Sequence, residues 1–394
     1  MVERTQYLEK LKQMKDLQII KVVTGVRRCG KSTLLQQFQQ FLLNSGVEAE
    51  QIIAVNFEDL EFEELRNYRE LHSYITERLT AEKMTYVFLD EIQTVPEFQK
   101  AVDSLFIKEN VDVYISGSNA HLLSGELATL LSGRYVEIQM LPLSFKEYYE
   151  LAGGERRDAW NRYFREGGFP YAAQIETEEV KRDYLLGIYN TVLMKDIISR
   201  KKVQDAQLLE SVVKYLFSNI GNIVSSKKIA DSLVSFGRKT TSVTVENYIE
   251  ALRESFILYK VGRYDVKGKQ HLKSLEKYYL VDVGLRRLLL GDKNSDIGYI
   301  LENIVYLELI RRGYRVSIGK IGNLEIDFVA EKGGERIYYQ VATSVLEPSI
   351  FAREIAPLKK INDNYPKYII SMDEITMNED GIRQINVQDF LLNR

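Results

Sequence analysis

Residues Gly25-Val26-Arg27-Arg28-Cys29-Gly30-Lys31-Ser32 spell G-x-x-x-x-G-K-S, with Thr33 next. The apolar run from Ile19 to Val23 leads in and reads as a strand; Leu34 to Phe38 leads away and reads as a helix start. Strand, glycine-rich turn and helix, in that order, leave the backbone few options. The glycines let the chain wrap so that its N–H groups face one point. The new helix turns its positive N-terminal end on the same point. An anion belongs there. Lys31 is expected to reach the β- and γ-phosphates of ATP, and the Ser32 hydroxyl to ligate Mg²⁺. Residues Gly25 to Thr33 are the expected cofactor-binding loop.

A second motif supports the first. Tyr86-Val87-Phe88-Leu89 runs into Asp90-Glu91, which reads as a buried parallel strand with carboxylates at its C-terminal tip. Ligands of open α/β sheets sit at such tips. Asp90 is placed to hold the Mg²⁺ shell and Glu91 to polarise an attacking water. A third strand, Val111 to Ser116, ends in Gly117-Ser118-Asn119. Ser118 and Asn119 are candidates to touch the γ-phosphate or the water, and equally to cap the next helix. Arg134, just before the apolar run Tyr135 to Ile138, reads two ways. It is either a surface residue or a supplier of positive charge to the γ-phosphate, in cis or from a neighbouring subunit of a homo-oligomer. Arg27 and Arg28 are weaker candidates for that role. Cys29, inside the loop, is expected to make nucleotide turnover sensitive to thiol reagents.

Composition sets bounds. At 394 residues there is room for two or three domains. The net charge of −3 gives no global sign of nucleic acid. No apolar run approaches the ~20 residues needed to span a bilayer, and the first residues show no secretory signal. One cysteine allows no intramolecular disulfide, which suits the cytoplasm. With three histidines it also excludes an ordinary structural zinc site.

From Leu17 to Tyr149 the chain resembles the ATPase core of the AAA+ superfamily. It is most similar to a prokaryotic branch whose signatures stand here at Gly25–Thr33, Leu89–Gln93, Ser116–Arg134 and Leu141–Tyr148. The resemblance implies an α/β core, residues 1–150, with a parallel sheet in the strand order 5-1-4-3-2. It places the strand ending near Ser116 between the two motif strands. It also implies a helical lid over the nucleotide and a C-terminal domain resembling a restriction endonuclease.

Ser144 is expected to cap a helix that Gly153-Gly154 breaks, and the lid, over residues 151–204, is expected to be mostly helical with Gly167-Gly168-Phe169-Pro170 as a hard break. Residues 205–290 read as three helices followed by a β-hairpin, the element order of a winged helix. Lys201 to Lys277 holds 14 Lys/Arg against 8 Asp/Glu, a net of +6 in a chain of net −3. Lys227, Lys228, Arg238 and Lys239 are therefore candidate DNA phosphate contacts. The alternative is a lysine-rich face on a protein-docking module.

The tail, residues 291–394, reads as a small α/β unit. Glu302 on a helix, Asp327 on a strand and Gln340 on the next strand match three positions of the restriction-endonuclease constellation. Ala342 stands where a lysine should support the attacking water. A degenerate site is the expectation. The leading function is an ATP-dependent switch acting on DNA or protein through the winged helix. An ATP-gated nuclease and a non-catalytic ATP-binding regulator are the competing readings.

Overall fold

Strand β1 (Ile20–Thr24) is buried along its whole length, as a central parallel strand must be when both sheet faces are covered. β3 (Thr85–Asp90) and β4 (Val111–Gly117) are buried in the same way. The two outer strands, β2 (Ile52–Asn56) and β5 (Tyr135–Gln139), are only part-buried. All four pairings are parallel, in the order β2-β3-β4-β1-β5. The 5-1-4-3-2 order is thus present, and β4 lies between the two motif strands. These facts come from a computed structural model, which describes residues 2–80, 82–118, 131, 133–199, 203, 205–292 and 296–394.

Two compact units make up the chain: Met1–Pro142 with Glu254–Phe256, and Leu143–Arg253 with Ile257–Arg394. In the first, helices α1 (Thr5–Gln13), α2 (Lys31–Asn44), α3 (Tyr68–Thr76) and α4 (Phe98–Phe106) accompany the sheet. α2 buries Lys31, Leu34, Leu35, Phe38 and Leu42, a spacing of three or four that lays one helical stripe on the sheet. A core of Ile20, Val22, Val55, Leu71, Leu89, Val102 and Ile115 fills one side. Lys21 interrupts the apolar run of β1 yet is fully buried; its amine pairs with Asp112 on β4 and donates to Leu17 O at 2.7 Å.

Ser144 is the second residue of the second unit. Its hydroxyl and the Glu147 side chain close a capping box on α5 (Phe145–Ala152). α6 (Arg156–Glu166) ends at Gly167, whose φ is 78°. There Asp282 accepts from Gly168 N at 2.6 Å, so a β-carbon on Gly167 would collide with that carboxylate. α7 (Glu178–Thr191) runs on into a π-helical segment, Val192–Ser199. Three helices follow: α8 (Ala206–Ser218), α9 (Ser226–Ser235) and α10 (Ser242–Glu254). Then comes the hairpin β7 (Leu258–Asp265) and β8 (Gln270–Leu280).

That hairpin is part of a larger sheet. β7 pairs in parallel with β9 (Arg315–Ile321), while β8 also takes β6 (Ile223–Val224). β9 continues through β10 (Leu324–Lys332), β11 (Glu335–Val341) and β12 (Lys367–Ser371). β14 (Ile382–Asn386) and β13 (Asn378–Glu379) complete a mixed nine-stranded sheet. α11 (Val283–Leu290), α12 (Ile297–Arg311), α13 (Pro348–Lys359) and α14 (Val387–Leu392) belong to the same unit. No helix among the described residues is long and apolar enough to cross a membrane.

Candidate functional site

The glycine-rich turn leaves β1 at Gly25 and enters α2 at Gly30. Gly25 has φ 146°, and a β-carbon there would lie 2.2 Å from Met140 O. Gly30 is the N-cap of α2 with φ 104°, a left-handed conformation that side chains oppose. The loop's shape therefore needs glycine at both signature positions, one for close backbone approach and one for the turn.

Lys31 follows and is 4% exposed. Its amine donates to Gly25 O at 3.2 Å and Val26 O at 3.4 Å, and lies 3.4 Å from Glu91 Oε1. Glu91 stands at the tip of β3 with φ 56°, in the left-handed region, which is costly for a side-chain-bearing residue. It is held there by a bond from its own N–H to Ser116 Oγ at 3.2 Å. Its Oε2 accepts from Gln93 Nε2 at 2.5 Å and from Ser118 Oγ at 3.1 Å. Burial pushes the Glu91 carboxyl up, but Lys31, Gln93, Arg27 and Ser118 together hold it below its ordinary value, so it stays ionised.

Asp90 behaves in the opposite way. Burial dominates and raises its pKa, although Ser116 and Ser32 both hydrogen-bond to it. A buried carboxylate beside the Ser32 hydroxyl is a donor pair suited to a cation. The structure thus brings Lys31, Ser32, Asp90, Glu91 and Ser118 together where β1, β3 and β4 end. Ser116 and Gln93 were not among the expected site residues. Both lie inside the quoted motifs, but only the fold shows what they touch. Asn119 lies outside the described residues.

Arg134 is not brought to this point. Its carbonyl accepts from Ile20 N at 2.9 Å, at the opposite end of β1 from the loop. Five residues of strand, about 16 Å, separate the two ends. The side chain is exposed and sits 5.3 Å from the centre of the Phe106 ring. Arg27 pairs with Glu58 at 3.3 Å, and Arg28 is exposed with φ 65°.

Cys29 corrects an expectation. Its thiol is fully buried and burial raises its pKa, despite Lys31 and Arg4 nearby. A buried, protonated thiol is inert, so sensitivity of the folded protein to thiol reagents does not follow from its place in the loop.

The residues of the nuclease-like constellation do converge. Asp327 N donates to Gln340 Oε1 at 3.4 Å, and Asp327 Oδ2 accepts from Val341 N at 2.8 Å. A register shift between Ile326 and Val329 falls at Asp327. Glu302 comes from α12. Between Glu302 and Asp327 sits a residue that sequence reasoning missed, Lys277 of β8. Its amine lies 2.9 Å from Glu302 Oε1, 2.8 Å from Glu325 Oε1 and 4.0 Å from Asp327 Oδ1. Burial opposes that charge, but the three carboxylates win and raise its pKa. Tyr279 donates to Glu302 at 2.5 Å, and Gln340 to Glu354 at 2.8 Å. Lys277, Glu302, Asp327 and Gln340 are all buried, and Ala342 packs into the apolar core. Among the described residues no three His, Cys, Asp or Glu groups are placed to hold a metal ion.

Comparison with known proteins agrees with the geometry. A family described as an AAA domain matches residues 18–149, and one described as a domain of unknown function matches residues 157–296. An uncharacterized protein of Haemophilus influenzae is 41% identical over 100% of this chain and 99% of its own length. The chain belongs to its family. Another relative, an uncharacterized protein of Methanocaldococcus jannaschii, is 30% identical over 94% of this chain and 85% of its own. In this chain the AAA-domain match is followed directly by the match to the domain of unknown function. Among solved structures, a Walker-type ATPase of Pyrococcus abyssi is similar in fold. Its TM-score is 0.51 at 16% identity, covering 73% of this chain and 96% of that one.

Proposed function

We propose that this AAA-domain protein binds ATP with Mg²⁺, hydrolyses it, and uses the nucleotide state to control binding of a partner. One observation carries the first part: Lys31, Ser32, Asp90, Glu91 and Ser118 meet at the ends of three adjacent strands, at a glycine-shaped helix N-terminus. ATP phosphates would lie against the N–H groups of the loop and the Lys31 amine. Ser32 and Asp90 would hold Mg²⁺, which neutralises developing charge on the phosphates. Glu91, ionised and fixed through Oε2, has Oε1 left to orient a water once Lys31 turns to phosphate. Arg134 stands at the far end of its own sheet, which favours action on a neighbouring subunit's nucleotide.

The partner surface is proposed on α9 and the turn after it. Lys227, Lys228, Arg238 and Lys239 are exposed there. The basic excess of the region shrinks elsewhere: Lys277 is buried and Lys260 pairs with Glu276 at 2.6 Å. The outer face of α10 is acidic at Glu246 and Glu250. DNA docking would therefore run through α9 and backbone phosphates rather than through base reading by α10. Cleavage is not part of the proposal, because Lys277 fills the space between Glu302 and Asp327 that a cation would need.

Calorimetric titration with ATP and Mg²⁺ tests the central claim. The full chain is expected to bind, and Lys31→Ala to lose tight binding. Equal affinity in the two proteins would overturn the reading.

A further inference from the structure

The N-terminal segment reaches the nucleotide loop through the Arg4 side chain. Arg4 is 2% exposed. Its Nη1 donates to Cys29 O at 2.9 Å, and its Nη2 to Leu141 O at 2.7 Å and Pro142 O at 3.5 Å. The guanidinium lies 5.0 Å from the centre of the Tyr7 ring, and the Tyr7 hydroxyl accepts from Leu141 N at 3.1 Å. The backbone of the segment is tied to α2 as well: Arg4 N donates to Gln37 Oε1 at 3.2 Å, and Gln37 Nε2 to Val2 O at 2.9 Å.

The consequence lies in peptide geometry. No peptide bond among the described residues is cis, so the Cys29 carbonyl and the Gly30 N–H point in opposite directions. Holding that carbonyl on Arg4 aims the Gly30 N–H to the other side of the loop. Gly30, with its unrestricted backbone, would otherwise leave that peptide plane free to rotate. The same guanidinium fixes Leu141, next to the Met140 carbonyl on which Gly25 packs. Arg4 thus holds the Cys29–Gly30 peptide plane and, through Leu141, the strand end whose Met140 carbonyl borders Gly25. Arginine suits this role because its planar fork holds two acceptors at once, whereas lysine offers a single point.

We propose that Arg4 is a positioning residue for nucleotide binding: it pre-sets the N–H groups of the phosphate loop and so governs affinity for ATP rather than the hydrolytic step. The proposal rests on the ATP reading given above. In Arg4→Ala the Kd and KM for ATP should rise roughly tenfold, the size of one charge-assisted hydrogen bond, with kcat at saturating ATP near the wild-type value. Arg4→Lys should recover part of the affinity. It also serves as the measured variant if Arg4→Ala does not fold, with a smaller rise in KM expected. A merely structural role would lower the melting temperature and leave KM alone. Unchanged KM in Arg4→Lys and Arg4→Ala, or a loss confined to kcat, overturns the proposal. Lys31→Ala separates the two claims. If it loses ATP while the Arg4 variants keep full affinity, only the positioning role fails; if it binds like wild type, the ATP reading fails first.

Discussion

The amine of Lys277 lies 2.9 Å from Oε1 of Glu302, with both side chains buried. Asp327 completes the group at 4.0 Å. A lysine from a hairpin that sequence assigns to one domain thus neutralises acids that sequence assigns to the next. Burial and Glu302 push the Asp327 carboxyl well above its usual range, while Lys277 pulls it down. The arrangement is an internal ion-pair network, closed by the lysine.

Removing that lysine leaves the acids facing one another without a cation. Lys277→Met is expected to destabilise the protein by about 3–5 kcal/mol, the cost of stranding a buried charge. Adding Glu302→Gln should recover part of the loss. Urea denaturation of the single and double variants gives both numbers. A single variant as stable as wild type would show that the network contributes nothing.

Glu91→Gln should bind ATP with wild-type affinity and hydrolyse it at least ~10²-fold more slowly, as expected for a lost base or water-orienting carboxylate. Phosphate release under saturating ATP measures this. Undiminished turnover would assign the water to another residue.

Asp282 gives a pH dependence. It is fully buried, and burial lifts its pKa to about 7 against the pull of Gly168, Gly284 and Leu285 N–H groups. A folded-state pKa above the unfolded value means that the folded form binds the proton more tightly. The contribution to stability is therefore complete below about pH 4 and falls away as pH rises to about 7, by about 4 kcal/mol at most. Asp282→Asn keeps an acceptor for those N–H groups and does not titrate. The stability difference between variant and wild type should widen from pH 4 to pH 7 and then level off. A constant difference across that range would refute the assignment.

Cys29 should resist thiol reagents in the folded protein and react only on unfolding, because it is fully buried with a raised pKa. A timed colorimetric thiol assay with and without denaturant decides this. Rapid labelling of the native chain would mean that the loop opens.

Charge reversal of Lys227, Lys228, Arg238 and Lys239 should weaken DNA binding to all sequences alike and flatten its salt dependence. ATP affinity should be unchanged. If the wild-type chain binds no DNA even at low salt, the exposed Phe236 and Val243 beside these residues make a protein the partner to seek.

The phosphate loop, the Asp90-Glu91 pair and the strand and helix order around them were legible because each is a contiguous stretch. Glycine spacing, an apolar run and two acids at its end fix local backbone and chemistry without reference to the rest of the chain. The hairpin after three helices was legible for the same reason. Nothing local marked what surrounds Lys277, Arg4 or Cys29. Lys277 reads as one more basic residue in a basic stretch until β7 pairs with β9 and carries β8 to the acids of α12 and β10. Arg4 reads as part of a charged, featureless start until α1 and α2 bring it to carbonyls 25 and 137 residues away. Cys29 reads as a reactive loop thiol until the turn shows it directed into the core. Sequence determined the glycine-rich turn between strand and helix and the acidic tip of the neighbouring strand. Tertiary structure decided which charges are buried, which are paired and which are available, because burial and pairing depend on segments that meet only through the fold.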